Sequence, residues 1–441
     1  MADTKNRRRS LGQRALATGL ATALTLGAVV TTGRPASAAQ PTQVTYWYGI
    51  GGALGKVVQT MVGQFNASHP SVHVTAQFQG SYSGGGPEQQ KLLAAIASGA
   101  VPDMAQMEVN SIGQFAASGA LLPLDSFLKK SSVDAPSGFL PGLLLSGQYK
   151  GVQYGLPFNR SVPILYYNAA MLKAAGIASA PTTWTTLAAD ARKLAHGSGS
   201  SKVYGFNPLV DWWPWESYTL SAGGAFFSKD GTQAAFDSKT ALAPLAIQQD
   251  LVKAGVAKIN TGATYWSQNI EDFAQGKTAM TLGSPADMAT INQDAVSSVA
   301  KVWRTALLPT TAGHKLIVPP GGGNAVIFKN IAQSHIQAAE TFVQWFTSPS
   351  EQVYWSEHTG YMPVTKAAVD TRAYQAYLNA HPNSKVVIQE LSYLGAMPLN
   401  THYLTMLQFV QQGLQAVFDK QQDPANAMQQ VATRVNGILQ S

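Results

Sequence analysis

With 441 residues the chain is too long for one ordinary core and suits two or three domains. Its residues are 45% hydrophobic and only 12% charged, a balance that excludes intrinsic disorder. Of the formal charge of +7, five units lie within residues 1–39, where Lys5, Arg7, Arg8, Arg9, Arg14 and Arg34 face the single anion Asp3. What remains makes no basic stripe for nucleic acid or an anionic membrane.

The first segment in chain order reads as an export signal. "KNRRRSLGQR" is a positive n-region, "ALATGLATALTLGAVV" an apolar h-region, and "PASAA" supplies small residues for cleavage. The apolar run Ala15–Val30 is 16 residues, short of the roughly 20 that a membrane span needs. Arg8-Arg9-Ser10-Leu11 also fits a loose twin-arginine pattern, so the export route stays open. The chain has no cysteine, which excludes disulfides, thiolate metal sites, cysteine nucleophiles and a lipid-modified cysteine at the signal boundary. The mature protein is expected outside the cytoplasm, periplasmic or extracellular and soluble.

After the signal, Val44–Tyr48 reads as a strand, and residues 56–66 place Val57, Met61, Val62 and Phe65 on one helical face. Residues 71–79 alternate as a second strand, 88–99 read as a helix stopped by Gly99, 102–108 as a third strand and 110–119 as a helix. Such alternation predicts an α/β sheet, largely parallel. Next comes "LPFNRSVPILYYN" (156–168), where Asn159, Arg160 and Ser161 interrupt an apolar run. A plain buried strand would not hold three polar side chains without partners. Residues 169–176 and 183–197 read as helices, the latter with Thr183 as N-cap. Strands are expected at 278–284 and 323–329, and amphipathic helices at 334–348 and 403–418. No repeat and no clean linker appears, so two lobes joined by several crossings fit better than two tethered domains.

Most motifs for chemistry fail on spacing. "WYGIGGALG" (47–55) follows a strand, but Leu54 stands where a dinucleotide loop needs glycine. A turn that lets backbone approach something closely is the better reading. "GSYSG" (80–84) has Tyr82 where a serine-hydrolase elbow needs serine. His69 and His73 are four apart, but Pro70 breaks the helix that would align them, and no metal-ligand spacing appears. No cofactor, metal or catalytic residue is expected. Aromatics are the positive signal: Trp47, Tyr48, Tyr82, Trp212, Trp213, Trp215, Tyr265, Trp266 and Tyr361 lie near predicted loops or strand ends. Each could simply be core. The three tryptophans of "DWWPWESY" (211–218), however, cannot all face one core, and a flat amphipathic ring suits a sugar or polyol face.

Four segments resemble a known family. "LPFNRSVPILYYN", "PTTWTTLAADARKL" (181–194), "GKTAMTLGS" (276–284) and "TGYMPVTKAA" (359–368) are similar, in order, to motifs of the solute-binding proteins of ABC importers. Within the carbohydrate-binding group the resemblance is closest to the sn-glycerol-3-phosphate-binding proteins. It implies an α/β, two-lobed periplasmic-binding-protein fold of class II type with interlobe crossing strands near 156–163, 306–312 and 356–361. Beyond a signal at 1–39, lobe 1 would comprise 40–160 and 310–356, and lobe 2 would comprise 161–309 and 357–441. It implies a monomer that clamps one small-molecule ligand and delivers it to ABC permease transmembrane subunits, with no nucleic acid and no enzymatic turnover. A secreted carbohydrate-active enzyme is the alternative.

Carried over residue by residue, the resemblance implies ligand contacts at Tyr82, Glu108, Ser161, Ser284, Gly323 (through its backbone N–H) and Tyr361. It also implies a tryptophan against a glycerol moiety, best matched by Trp212, with Trp213 or Trp215 as alternatives. The family's phosphate-holding arginine has no counterpart: there is no arginine between Arg372 and Arg434, and "MPLNTHYL" (397–404) occupies the place. Arg160, on the inferred cleft floor, could supply the missing cation. Otherwise it pairs with a carboxylate at the rim and the ligand is neutral.

Overall fold

The computed structural model describes residues 40–130, 138–140, 142–262, 264–395 and 400–440. The expected export signal lies outside them.

Among the described residues, ten strands form three sheets: β1 (Thr42–Tyr48), β2 (Val72–Phe78), β3 (Met104–Glu108), β4 (Gln148–Tyr149), β5 (Val152–Gln153), β6 (Gly155–Ser161), β7 (Ile164–Asn168), β8 (Met280–Gly283), β9 (Trp303–Ala306) and β10 (Gly321–Ile327). The larger sheet has the order β2-β1-β3-β10-β6, the smaller one β8-β7-β9, and β4 and β5 form a two-stranded hairpin. Strand β1 buries Val44, Tyr46 and Tyr48 by its period of two. Against it packs α1 (Gly52–Ser68), which buries Val58, Met61, Val62 and Phe65. The helix α2 (Pro87–Ser98) ends at Gly99, which adopts φ 73°, a left-handed cap that glycine takes without strain. Thr183 caps the helix Trp184–Leu194, its hydroxyl accepting from the Thr186 N–H at 3.1 Å.

The expectation of a largely parallel sheet is corrected. Only β1–β2 and β1–β3 pair in parallel; β10 runs antiparallel to both β3 and β6, and every pair in the smaller sheet is antiparallel. Parallel pairing needs a crossover connection back to the same end of the sheet. Here the chain leaves the larger sheet after β6, builds the smaller one, and re-enters through β10 from the opposite direction.

Two passages between the sheets are explicit. Val162 and Pro163 separate β6 from β7, and residues 307–320 separate β9 from β10. A further segment, after the helix Pro349–Thr359, turns at Gly360 (φ 78°) and pairs Met362 with Arg160. All seven residues of β6 are buried. Apart from the strand directions, this crossing-strand α/β architecture is the one that the resemblance implied.

Candidate ligand-binding site

Where the two sheets face each other lies a cavity of about 530 Å³. Its wall on the larger-sheet side comes from the loops after β1, β2 and β3. Gly49 sits where a Cβ would lie 2.8 Å from the Tyr82 side chain, so a residue other than glycine would displace that ring. This is the close backbone approach predicted for "WYGIGGALG". Tyr82 is held from behind: Asn159 Nδ2 donates to its hydroxyl at 3.1 Å, Gln106 Nε2 donates to Asn159 Oδ1 at 2.7 Å, and the Gly49 N–H donates to Gln106 Oε1 at 2.9 Å. The last residue of β3, Glu108, accepts from the Gly84 N–H at 3.0 and 3.1 Å and from Gln89 Nε2 at 3.1 Å. Burial pushes its pKa up to about 8 against the pull of the Gly84 and Gly85 N–H groups and Gln89, and Asp211 adds a like charge.

The opposite wall is built around the helix Trp212–Ser221. Asp211 caps it, accepting from the Trp213 N–H at 2.8 Å, and also accepts from the Tyr265 hydroxyl. Pro214 falls in the first turn, where a missing N–H breaks no helical bond. The helical turn then sorts the three tryptophans. Trp212 and Trp213 line the cavity, whereas Trp215 is fully buried between Phe226 and Phe236. Trp213 stacks on Trp266 with ring centroids 6.0 Å apart at 25°. The Trp266 indole N–H is shared by both oxygens of Asp287 at 3.1 Å, and the Ser284 N–H reaches Asp287 Oδ2 at 2.7 Å. Burial raises Asp287 to about 6 and raises Asp211 also, in each case opposed by these donors. Tyr361 completes the wall, stacked on Trp355 at 9°.

Of the residues singled out from sequence, Tyr82, Glu108, Ser161, Trp212, Trp213, Ser284 and Tyr361 converge on this cavity. Three differ from expectation. Trp215 belongs to the core. Gly323 lies inside the larger sheet, paired with Glu108 on one side and Asn159 on the other, and the glycines that line the cavity are Gly321 and Gly322 at the strand's start. Arg160 is fully buried and turned away from the cleft, on the face of β6 opposite to that of Ser161. Its guanidinium donates to the Gly323 carbonyl, to Asn324 Oδ1 and to Ser146 Oγ, the last at 2.9 Å. It therefore neither faces a ligand nor pairs with a rim carboxylate. Asn159, one of the polar residues that interrupt this apolar run, supports Tyr82 from beneath.

Sequence reasoning missed Asp211 and Asp287. The available signal was local: Asp211 is the N-cap of its helix, and Asp287 stands in the first turn of another, where an acid is favoured. Among the described residues, no lysine, arginine or histidine lines the cavity, and no group of acids and histidines is arranged to hold a metal ion. No described helix is long and apolar enough to cross a membrane.

The chain is 26% identical to the sn-glycerol-3-phosphate-binding periplasmic protein UgpB of Escherichia coli O1:K1 / APEC, over 95% of this chain and 96% of that one. The structure of UgpB from Mycobacterium tuberculosis in complex with glycerophosphocholine matches with TM-score 0.77 at 22% identity, covering 90% of this chain and 97% of that one. An ABC transporter solute-binding protein from Thermotoga lettingae TMO, bound with alpha-D-tagatose, matches with TM-score 0.77 at 24% identity, covering 90% and 100%. These structural likenesses establish the two-lobed fold. The sequence profile of the bacterial extracellular solute-binding proteins matches residues 51–353, and the chain belongs to that family.

Proposed function

We propose that this protein is the exported, soluble binding component of an ABC importer, that it captures a small polyhydroxyl compound between its lobes, and that it hands the compound to the permease subunits. The relatives named above bind a sugar and glycerophospho compounds, which sets the chemical range. One observation carries the reading: the cavity between the sheets combines indole and phenol rings with carboxylates that accept hydroxyl hydrogen bonds. Rings cover the apolar faces of a polyol, and the carboxylates take its O–H groups.

Within that range the cavity favours a ligand without phosphate. A phosphate needs a cation or a cluster of N–H donors, and the described lining has no cationic side chain. The lobes divide near 160 and 310, with the third passage near 357–361, and the chain acts as a monomer without turning its ligand over. A thermal-shift screen of sugars, polyols, glycerol phosphate and glycerophosphodiesters tests this, because a ligand at 100 times its Kd adds about 2.7 kcal/mol of stability. Stabilisation by phosphate-bearing compounds alone would overturn the preference, and hydrolysis of a glycan would restore the enzyme reading.

A further inference from the structure

We infer that the ligand carries a cationic nitrogen, an amine or ammonium group, seated between Glu108 and Asp211 beside the tryptophans of the opposite wall. The inference rests on the polyhydroxyl reading above and narrows it.

Glu108 and Asp211 line one cavity from opposite walls, the first at the end of β3 and the second ahead of the helix Trp212–Ser221. The two walls meet closely there: a Cβ at Gly84, whose N–H serves Glu108, would lie 3.3 Å from the Trp212 indole nitrogen. Each carboxylate is held only by neutral donors. Glu108 has backbone N–H groups and Gln89, and Asp211 has a backbone N–H and the Tyr265 hydroxyl. Neutral donors supply no counter-charge, so burial favours the protonated form of both acids and pushes Glu108 up to about 8. The surrounding titratable groups do not relieve this. Glu88 stands behind Glu108, and Glu216 behind Asp211, bonded to Tyr403. Tyr82, Tyr265 and Tyr361 are neutral phenols with pKa values raised by burial. Arg160 is committed to its three acceptors on the far side of β6.

A neutral ligand leaves Glu108 in its protonated form, and a phosphate would add negative charge beside both acids. A cationic ligand supplies the missing counter-charge and gains from the electron-rich faces of Trp212 and Trp213. On the same wall the Trp213 indole N–H is buried without a hydrogen-bond partner, packed beside Gly321, on a side chain that lines the cavity.

The test uses matched pairs that differ only in charge: glucosamine against glucose, galactosamine against galactose, the chitosan dimer against cellobiose, and serinol against glycerol. Binding is measured by thermal shift and calorimetry. In the pairs that bind, the amine should bind at least about tenfold tighter than its hydroxyl partner. Because the cation needs Glu108 ionised, the amine-to-hydroxyl affinity ratio should rise from pH 5.5 to 7. Glu108→Gln should abolish both the preference and its pH dependence, and Asp211→Asn should reduce the preference. Equal or tighter binding of the hydroxyl members, or a ratio that falls with pH, overturns the inference and leaves the polyhydroxyl reading standing. If no member of either class binds, the polyhydroxyl reading fails with it.

Discussion

Glu88 offers the sharpest test of the electrostatics beneath the cleft. It occupies the first turn of α2, where the helix dipole ordinarily favours an ionised acid. Its side chain is nevertheless 0% exposed, and neither carboxyl oxygen has a hydrogen-bond partner. Burial, with the Glu108 charge adding to it, pushes the pKa from 4.5 to about 9. The folded protein therefore holds Glu88 as a neutral acid while the unfolded chain ionises it above pH 4.5. The folded pKa is the higher one, so this contribution to stability is fully present below pH 4.5 and is lost as pH rises towards 9. Each pH unit in that window costs about 1.4 kcal/mol, so the loss by pH 7.5 approaches about 4 kcal/mol as a ceiling. Glu88→Gln removes the titration and keeps the shape. Its melting temperature relative to wild type should rise by several degrees between pH 5 and 8, on the order of 2–4 kcal/mol in stability. Differential scanning calorimetry at four pH values reads this directly. Any fixed benefit or cost of the amide cancels in the comparison. Parallel wild-type and variant curves would show that Glu88 is not a buried neutral acid and would refute the reasoning.

Three further outcomes are expected. Trp213→Ala should weaken ligand binding about tenfold or more with a modest loss of stability, whereas Trp215→Ala should cost about 3–5 kcal/mol of stability as a core truncation; calorimetric titration beside thermal melts separates the two, and the reverse pattern would exchange their roles. Arg160→Gln should destabilise by about 1–3 kcal/mol, because it disrupts buried hydrogen bonds, and should leave Kd within about threefold by calorimetry; a stable variant that no longer binds would return Arg160 to the ligand site. Saturating ligand should shrink the small-angle-scattering radius of gyration through hinge closure, and Gln408→Ala should make that closed state less favourable, because Gln408 Nε2 bridges to the Gly84 carbonyl at 3.2 Å. An unchanged radius at saturation would remove the clamp.

Much of this architecture was legible along the chain. The periodicity of residues 42–119 marks strand and helix in alternation because each element buries one face against the next. Thr183 and Gly99 mark helix ends through purely local chemistry. The aromatic cluster at 211–218 announced that some rings must leave the core, and the motif positions of Tyr82, Glu108, Ser161, Ser284 and Tyr361 named one cavity although 279 positions separate the first from the last. Tertiary structure alone decided the rest. The sense of β10 depends on the route by which the chain returns, which no local pattern encodes. Trp213 and Trp215 differ in role only because successive residues on a helix point in different directions, and the neighbours that receive each ring come from distant segments. Arg160 and Ser161 are adjacent in sequence, yet a strand turns them to opposite faces, one into the core and one to the ligand cavity. The pKa values of Glu88 and Glu108 are likewise products of burial and of charges brought near by the fold, so the acidic character of the cleft, with no cation among its described lining, could be read only once the two walls stood face to face.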